Sequence, residues 1–349
     1  MAVSLLATHS YSIAASMDST GLQIAIAGDL VAEQGLTSDS QAQEKLSPRA
    51  LEIMFYAPVD HRFDAVASGT AHEERGQVFF ETHELWIGSS KLIPRARFRL
   101  GQIFPAFGRL QRFHQHDWPF ISAPEVHTRF FDKEGIIDSG GELSYLLPVP
   151  LFLEWTVGAT SGWTFGHTHN EGSKPKIPTH FSRLATYLEM GELGGAELGL
   201  NYIGRTSAEN TEVKIIGLDL VAKKRRGRVQ PYLLQSEIWL RDEKRENSKS
   251  ENILGAYIYA QYGFNANWQL GLRVDALTVL SQENALGKKE DNLNLALVPT
   301  LTYRSSEFAT FRLAYNEKQD SVNNEIVNRD RYIQFQATFI LGAHPAHIF

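Results

Sequence analysis

Histidine and carboxylate side chains supply the first chemistry visible in this sequence. Of twelve histidines, His114, His116 and His127 fall in one stretch and His167 and His169 in another. Asp117, Glu125, Asp132 and Glu134 lie beside the first group. Imidazole mixed with carboxylate is a donor set for Zn²⁺ or Cu²⁺ at neutral pH. His114, His116, Asp117, His127, His167 and His169 therefore make a candidate Zn²⁺ site, on condition that the two stretches meet in space. A His-x-His pair in extended chain points both rings to one side. The plainer reading is of solvated histidines, or of histidines hydrogen-bonded in a packed lid, and it carries about twice the weight. Thiolate ligation is excluded, because the chain has no cysteine.

Arginine supplies the second candidate. Arg95, Arg97 and Arg99 alternate with Ala96 and Phe98, and Arg109 and Arg112 follow shortly after. Alternation puts the first three guanidiniums on one face of a strand, where the five together could line a pore and attract anions. Pairing with acids of the following loop, so as to hold it in place, is the slightly favoured alternative. Enzyme chemistry finds no purchase. No Gly-x-Ser-x-Gly elbow occurs, since Gly158 to Gly162 misplaces Ser161, and the adjacent His116 and Asp117 point to opposite sides of an extended chain. Phosphate loops, dinucleotide fingerprints and nucleic-acid motifs are missing as well.

Strands must position these groups. Period-2 alternation recurs from Gly21 onward, as in Trp268, Leu270, Leu272 and Val274 against Gln269, Gly271, Arg273 and Asp275. Sixteen strands are expected, near 21–32, 49–58, 62–69, 76–88, 93–104, 136–147, 151–162 and 180–191 in the first half. The second half adds 195–205, 212–222, 229–240, 252–264, 268–278, 292–304, 308–317 and 330–342. Links between them alternate in length. Tight turns such as 59–61, 148–150 and 265–267 are interleaved with longer stretches at 33–48, 105–135, 163–179, 241–251, 279–291 and 318–329. This predicts an all-β fold, a transmembrane antiparallel β-barrel of about 16 strands with short periplasmic turns and longer extracellular loops. Trp163 and Trp239 are placed near the long-loop rim and Trp86 and Trp268 near the other, as interfacial rings would be, with Trp155 as the misfit. The basic run at 223–228 falls in a short turn, where anionic lipid or a periplasmic partner would meet it.

Composition agrees. The chain of 349 residues has 43% hydrophobic and 21% charged residues and a net charge of −6, which argues against disorder and against a nucleic-acid partner. No apolar run is long enough for a membrane helix, which needs about 18 residues or more. Residues 1–16, small and apolar, read as the remnant of a signal peptide, leaving 21–349 as a single barrel. Within it, 105–135 is the longest link and, with Phe104 just before it, brings seven aromatics together up to Phe131, so it is expected to fold inward as a constriction.

Three stretches carry a resemblance: 98–110, which reads FRLGQIFPAFGRL; 114–120, which reads HQHDWPF; and the ending at Phe349 after an alternating last strand. They resemble a poorly characterised proteobacterial group of porin-type outer-membrane barrels, labelled phosphate-selective-porin-like or zinc-regulated outer-membrane receptor. The resemblance implies a channel in the bacterial outer membrane for passive passage of small solutes or ions, linked to zinc uptake in the sharper version. The implied partners are outer-membrane lipid and lipopolysaccharide, the barrel-assembly machinery, and further copies of the chain in a homotrimer. A sealed barrel serving as a surface binding protein is the alternative.

Overall fold

A computed structural model of the chain describes residues 21–38, 40, 42–74, 77–162, 165, 173–246, 249–281 and 290–342. The expected signal remnant, Trp163, His167, His169 and Phe349 lie outside the described residues. Sixteen antiparallel strands close into one barrel, each pairing with its neighbours in sequence and the first with the last. They are β1 Gln23–Gly35, β2 Leu46–Pro58, β3 Asp64–Glu74, β4 Gln77–Ser89, β5 Ala96–Ile103, β6 Asp138–Leu146, β7 Leu153–Thr160 and β8 Ile177–Glu189. The circuit continues with β9 Gly195–Thr206, β10 Glu212–Arg226, β11 Val229–Lys244, β12 Glu251–Gly263, β13 Trp268–Val279, β14 Asn292–Arg304, β15 Ala309–Val322 and β16 Glu325–Gly342. Closure leaves no sheet edge, so every strand's backbone groups have a ladder to pair with.

The alternation seen in the sequence becomes an inside and an outside. On β13, Leu270 and Leu272 are 49% and 44% exposed, whereas Arg273 and Asp275, which follow them, are fully buried. On β16, Phe335 and Phe339 face out while Gln334, Gln336 and Thr338 are buried. Exposed leucines around the wall and buried Arg, Asp and Gln within are the reverse of a soluble barrel. This is the architecture of a bacterial outer-membrane β-barrel. The buried charges are matched: Arg183 on β8 reaches Asp219 on β10 and Glu197 on β9, both at 2.7 Å. Desolvation makes such an arrangement tolerable only when all members are paired.

Turns at one rim are short throughout, for example 227–228 and 264–267, and the long links gather at the other. One expectation needs correction. The stretch 318–329 is no long loop; β15 and β16 run on to a two-residue turn at Asn323 and Asn324, which have φ of 51° and 67°. Two successive left-handed residues make the turn whose twist suits a hairpin, and asparagine tolerates it. Polar sequence there looked like loop, yet it forms cross-strand pairs such as Glu317 with Arg331 and Lys318 with Asp330. Tryptophan placement is corrected too. Trp239 is buried inside the barrel, and Trp86 is half-buried with its Nε1 donating to Glu84 at 2.8 Å. Among the described tryptophans, Trp155 and Trp268 face outward.

Candidate functional site

The segment between β5 and β6, residues 104–137, lies inside the barrel. It comprises two single 3-10 turns, Leu110–Arg112 and Gln115–Asp117, and one short helix, α1 Glu125–Phe131. Its aromatics make it insoluble as a free loop, and they bury against the wall: Phe107, Trp118, Phe120, Phe130 and Phe131 form one cluster with Phe181, Trp239, Tyr257 and Tyr259. Trp239 on β11 is the hub, with ring centroids 5.3 Å from Phe131 and 6.2 Å from Phe107. Glycine makes room for it. A Cβ on Gly217 would collide with the indole, and one on Gly108, whose φ is +60°, would come within 2.9 Å of it.

Polar bonds fix the rest of the loop around the circumference. Glu142 on β6 accepts from the Ala106 amide at 2.9 Å, and Asn201 on β9 accepts from the Gly108 amide at 2.7 Å. Glu237 on β11 accepts from the Arg109 amide. Tyr259 on β12 donates to the Pro119 carbonyl at 3.2 Å, and Arg273 on β13 donates to the Ser122 carbonyl. Lys318 on β15 pairs with Glu125 at 2.6 Å, and Arg49 on β2 donates to the Ile121 carbonyl. The loop therefore crosses the lumen and is tied to both sides of it.

The five arginines singled out in the sequence separate. Arg95 leaves the ladder, because β5 starts one residue later and Arg95 is an exposed turn residue with φ +66°. Arg97 is half-buried on β5. Arg99 pairs with Glu142 at 2.8 Å and approaches Glu84 at 3.7 Å, so it secures the start of the loop. Arg112 does the same with Glu197 at 2.6 Å. Arg109 lines a cavity, with its guanidinium 4.4 Å from the Phe113 ring centre. Burial, reinforced by Arg112 nearby, pulls its pKa down to about 10, which leaves it charged at neutral pH.

The histidines separate as well. His114 sits between two buried carboxylates, Nδ1 2.9 Å from Glu52 on β2 and Nε2 3.0 Å from Glu84 on β4. Burial opposes its charge, but Glu52 and Glu84 outweigh that and hold His114 well above the ordinary histidine value. His116 stacks beside it at 5.6 Å, with Nδ1 3.3 Å from Glu52 and Nε2 3.4 Å from Asp117. His127 belongs elsewhere, on α1 between Trp118 and Phe131. Its Nδ1 donates to the Asp132 carbonyl at 3.2 Å, and burial pulls its pKa down to about 4.

Sequence reading missed two members of the His114 cluster, Glu52 and His83. The β3–β4 ladder slips between Ser68 and Gly69, which pair with Glu84 and Thr82 and leave His83 as the extra residue. The bulge turns both His83 and Glu84 inward. A signal was present. Outward apolar residues on β4 change from Val78 and Phe80 to Leu85 and Ile87, an even-to-odd switch that strict alternation forbids.

Cavities lie on either side of the loop. Towards the short turns, a space of about 670 Å³ is lined by Arg109, Lys223, Arg225, Arg304 and Arg312, against Asp117 and Glu307. Two of the five basic residues of the run 223–228, Lys223 and Arg225, thus line the lumen at this end. Towards the long loops, a cleft of about 240 Å³ is lined by Arg129, Arg205 and Arg241 with Asp132.

No protein-family model matches the chain. A protein of Aquifex aeolicus with no assigned function is 26% identical over 337 residues, spanning 85% of this chain and 69% of that protein. Among solved structures, the outer membrane channel DcaP of Acinetobacter baumannii superposes with a TM-score of 0.63 at 11% identity, covering 92% of this chain and 97% of that one. The trimer form of OmpT from Vibrio cholerae gives 0.61 at 11% identity, covering 92% and 100%. An anion-selective porin from Comamonas acidovorans gives 0.61 at 11%, covering 93% and 99%. At such identities the likeness is one of fold.

Proposed function

We propose that this protein is a porin-type channel of the bacterial outer membrane that passes small solutes by diffusion and favours anions, with residues 104–137 as its constriction. One observation carries the reading: an inward-folded loop with a basic compartment on each face, inside a closed barrel whose outer wall is apolar. Fixed positive charge in a low-dielectric vestibule concentrates anions and lowers their barrier to passage. Phosphate, the solute implied by the resemblance, fits that chemistry. Zinc uptake, the other implication, finds no counterpart in these compartments, whose charge repels cations. A homotrimer belongs to the proposal, since one similar structure is a trimer form.

The experiment is efflux from vesicles. Refolded full-length protein in liposomes loaded with inorganic phosphate should release it faster than vesicles without protein, and faster than it releases a cation of similar size. A barrel that folds and inserts but releases neither is sealed. The dense seating of the loop favours that second reading, in which the long extracellular links of a closed barrel bind a partner at the surface.

A further inference from the structure

Glu52, His83 and His114 stand apart from the rest of the lumen in their chemistry. All three are buried, and each offers one ligand atom lying within 4.8 Å of the other two. They come from three separate pieces of chain, β2, the bulge of β4 and the inward loop, so only the folded barrel brings them together. We propose that these three residues bind a divalent transition-metal ion, with His116 as a further donor at the rim, and that the bound ion staples the loop to the β2–β4 wall.

Ligand type sets the class of ion. Two imidazoles and one carboxylate suit Zn²⁺, Co²⁺ or Ni²⁺ and disfavour Ca²⁺ and Mg²⁺, which take oxygen donors. The surroundings orient the ligands as an outer shell should. Thr70 Oγ1 lies 3.0 Å from His83 Nδ1, and Glu134 Oε2 lies 3.9 Å from His83 Nε2. Glu84 Oε2 lies 3.0 Å from His114 Nε2, which leaves Nδ1 turned to Glu52. Carboxylate-to-imidazole pairing on the far nitrogen fixes ring orientation and raises basicity in metal sites. Charge points the same way. Glu52 and Glu84 bring two carboxylates into a buried space where Arg99, 3.7 Å from Glu84, is already paired with Glu142 at 2.8 Å and Glu134 lies 3.9 Å from His83. The ligand atoms lie within 4.8 Å of one another, and His114 Nδ1 on the loop already stands 2.9 Å from Glu52 on the wall, near the roughly 3.3 Å between donors of a tetrahedral site with bonds of about 2.0–2.1 Å.

The test uses the full chain, refolded in detergent and stripped with a chelator. Titration with Zn²⁺ is followed by calorimetry and with Co²⁺ by its visible absorption bands, both at pH 7.5. The expected result is one saturable equivalent per chain. Affinity should fall at least 100-fold in His83→Gln and 10- to 100-fold in Thr70→Val, which keeps all three ligands and loses only the orienting bond. Heat-modifiable migration confirms that each variant is folded. His127→Gln, remote from the cluster, should bind as the parent does. Absence of a saturable equivalent in the folded parent overturns the proposal. So does full binding in His83→Gln, because the ion then sits at other histidines. Neither result touches the channel reading, which rests on conductance.

Discussion

Removing the Trp239 indole should unseat the loop while leaving the barrel standing. The side chain is buried, rests on Gly217, and meets Phe107 and Phe131 at 6.2 and 5.3 Å. Trp239→Ala therefore opens a void between wall and loop that neither glycine can fill. Truncations of this kind cost about 3–5 kcal/mol. The barrel ladder does not depend on the indole, so the cost falls on the seat of residues 104–113 and 131. At about 1.4 kcal/mol for each factor of ten, the unseated population rises about 10²- to 10⁴-fold. Limited trypsin digestion reads that population directly, because cleavage of a transiently open segment tracks its equilibrium fraction. Arg109 is 9% exposed, and Arg112 is held by Glu197, so both sites are shielded in the parent. Cleavage after them should accelerate by at least two orders of magnitude in Trp239→Ala, with heat-modifiable migration retained. Trp155→Ala, on the lipid-facing side, should leave loop cleavage unchanged. Parental protection in Trp239→Ala would refute the idea that this aromatic cluster seats the loop.

Three further outcomes follow from the same structure. Lys223→Glu with Arg304→Glu changes the lining of the larger cavity from five basic and two acidic side chains to three basic and four acidic, and should move the reversal potential in a salt gradient towards cation preference. Ile258→Arg places a charge near the middle of the outward face of β12 and should cost about 2–4 kcal/mol of folding into lipid vesicles, read as a lowered urea midpoint. His127 is buried with its pKa pulled down to about 4, so its neutral form is the one that folds. Because the unfolded chain takes up the proton first, stability of the loop seat is intact above about pH 6.5. It declines as pH falls towards 4, by up to about 3 kcal/mol. His127→Leu should flatten that part of the pH profile of trypsin protection, and an unchanged slope would assign it to other groups.

The barrel was legible because period-2 alternation is a direct readout of a wall with lipid on one side and water on the other. Link lengths added the rims. Seven aromatics from Phe104 to Phe131 mark a segment that needs apolar partners, and Phe107, Trp118, Phe120, Phe130 and Phe131 pack with Phe181, Trp239, Tyr257 and Tyr259. What remained hidden depends on contacts distant in sequence. Trp239 looks like an interfacial ring until its partners Phe107 and Phe131 are seen against it. Arg304 and Arg312 read as ordinary strand residues, yet they line the cavity beside Arg109. The histidine cluster was half visible. His114 and His116 signal themselves by spacing, whereas Glu52 arrives from β2 and His83 through a bulge that breaks the alternation. His127 shows the opposite error, lying close in sequence to the site yet facing Trp118 and Phe131.

The channel itself is tested most directly by single-molecule recording. Refolded protein in a planar bilayer, bathed in a gradient of potassium chloride, should give stable unitary steps with a reversal potential on the chloride side. Stable steps reversing on the potassium side would contradict the anion preference. A folded, inserted barrel that passes no current would contradict the channel.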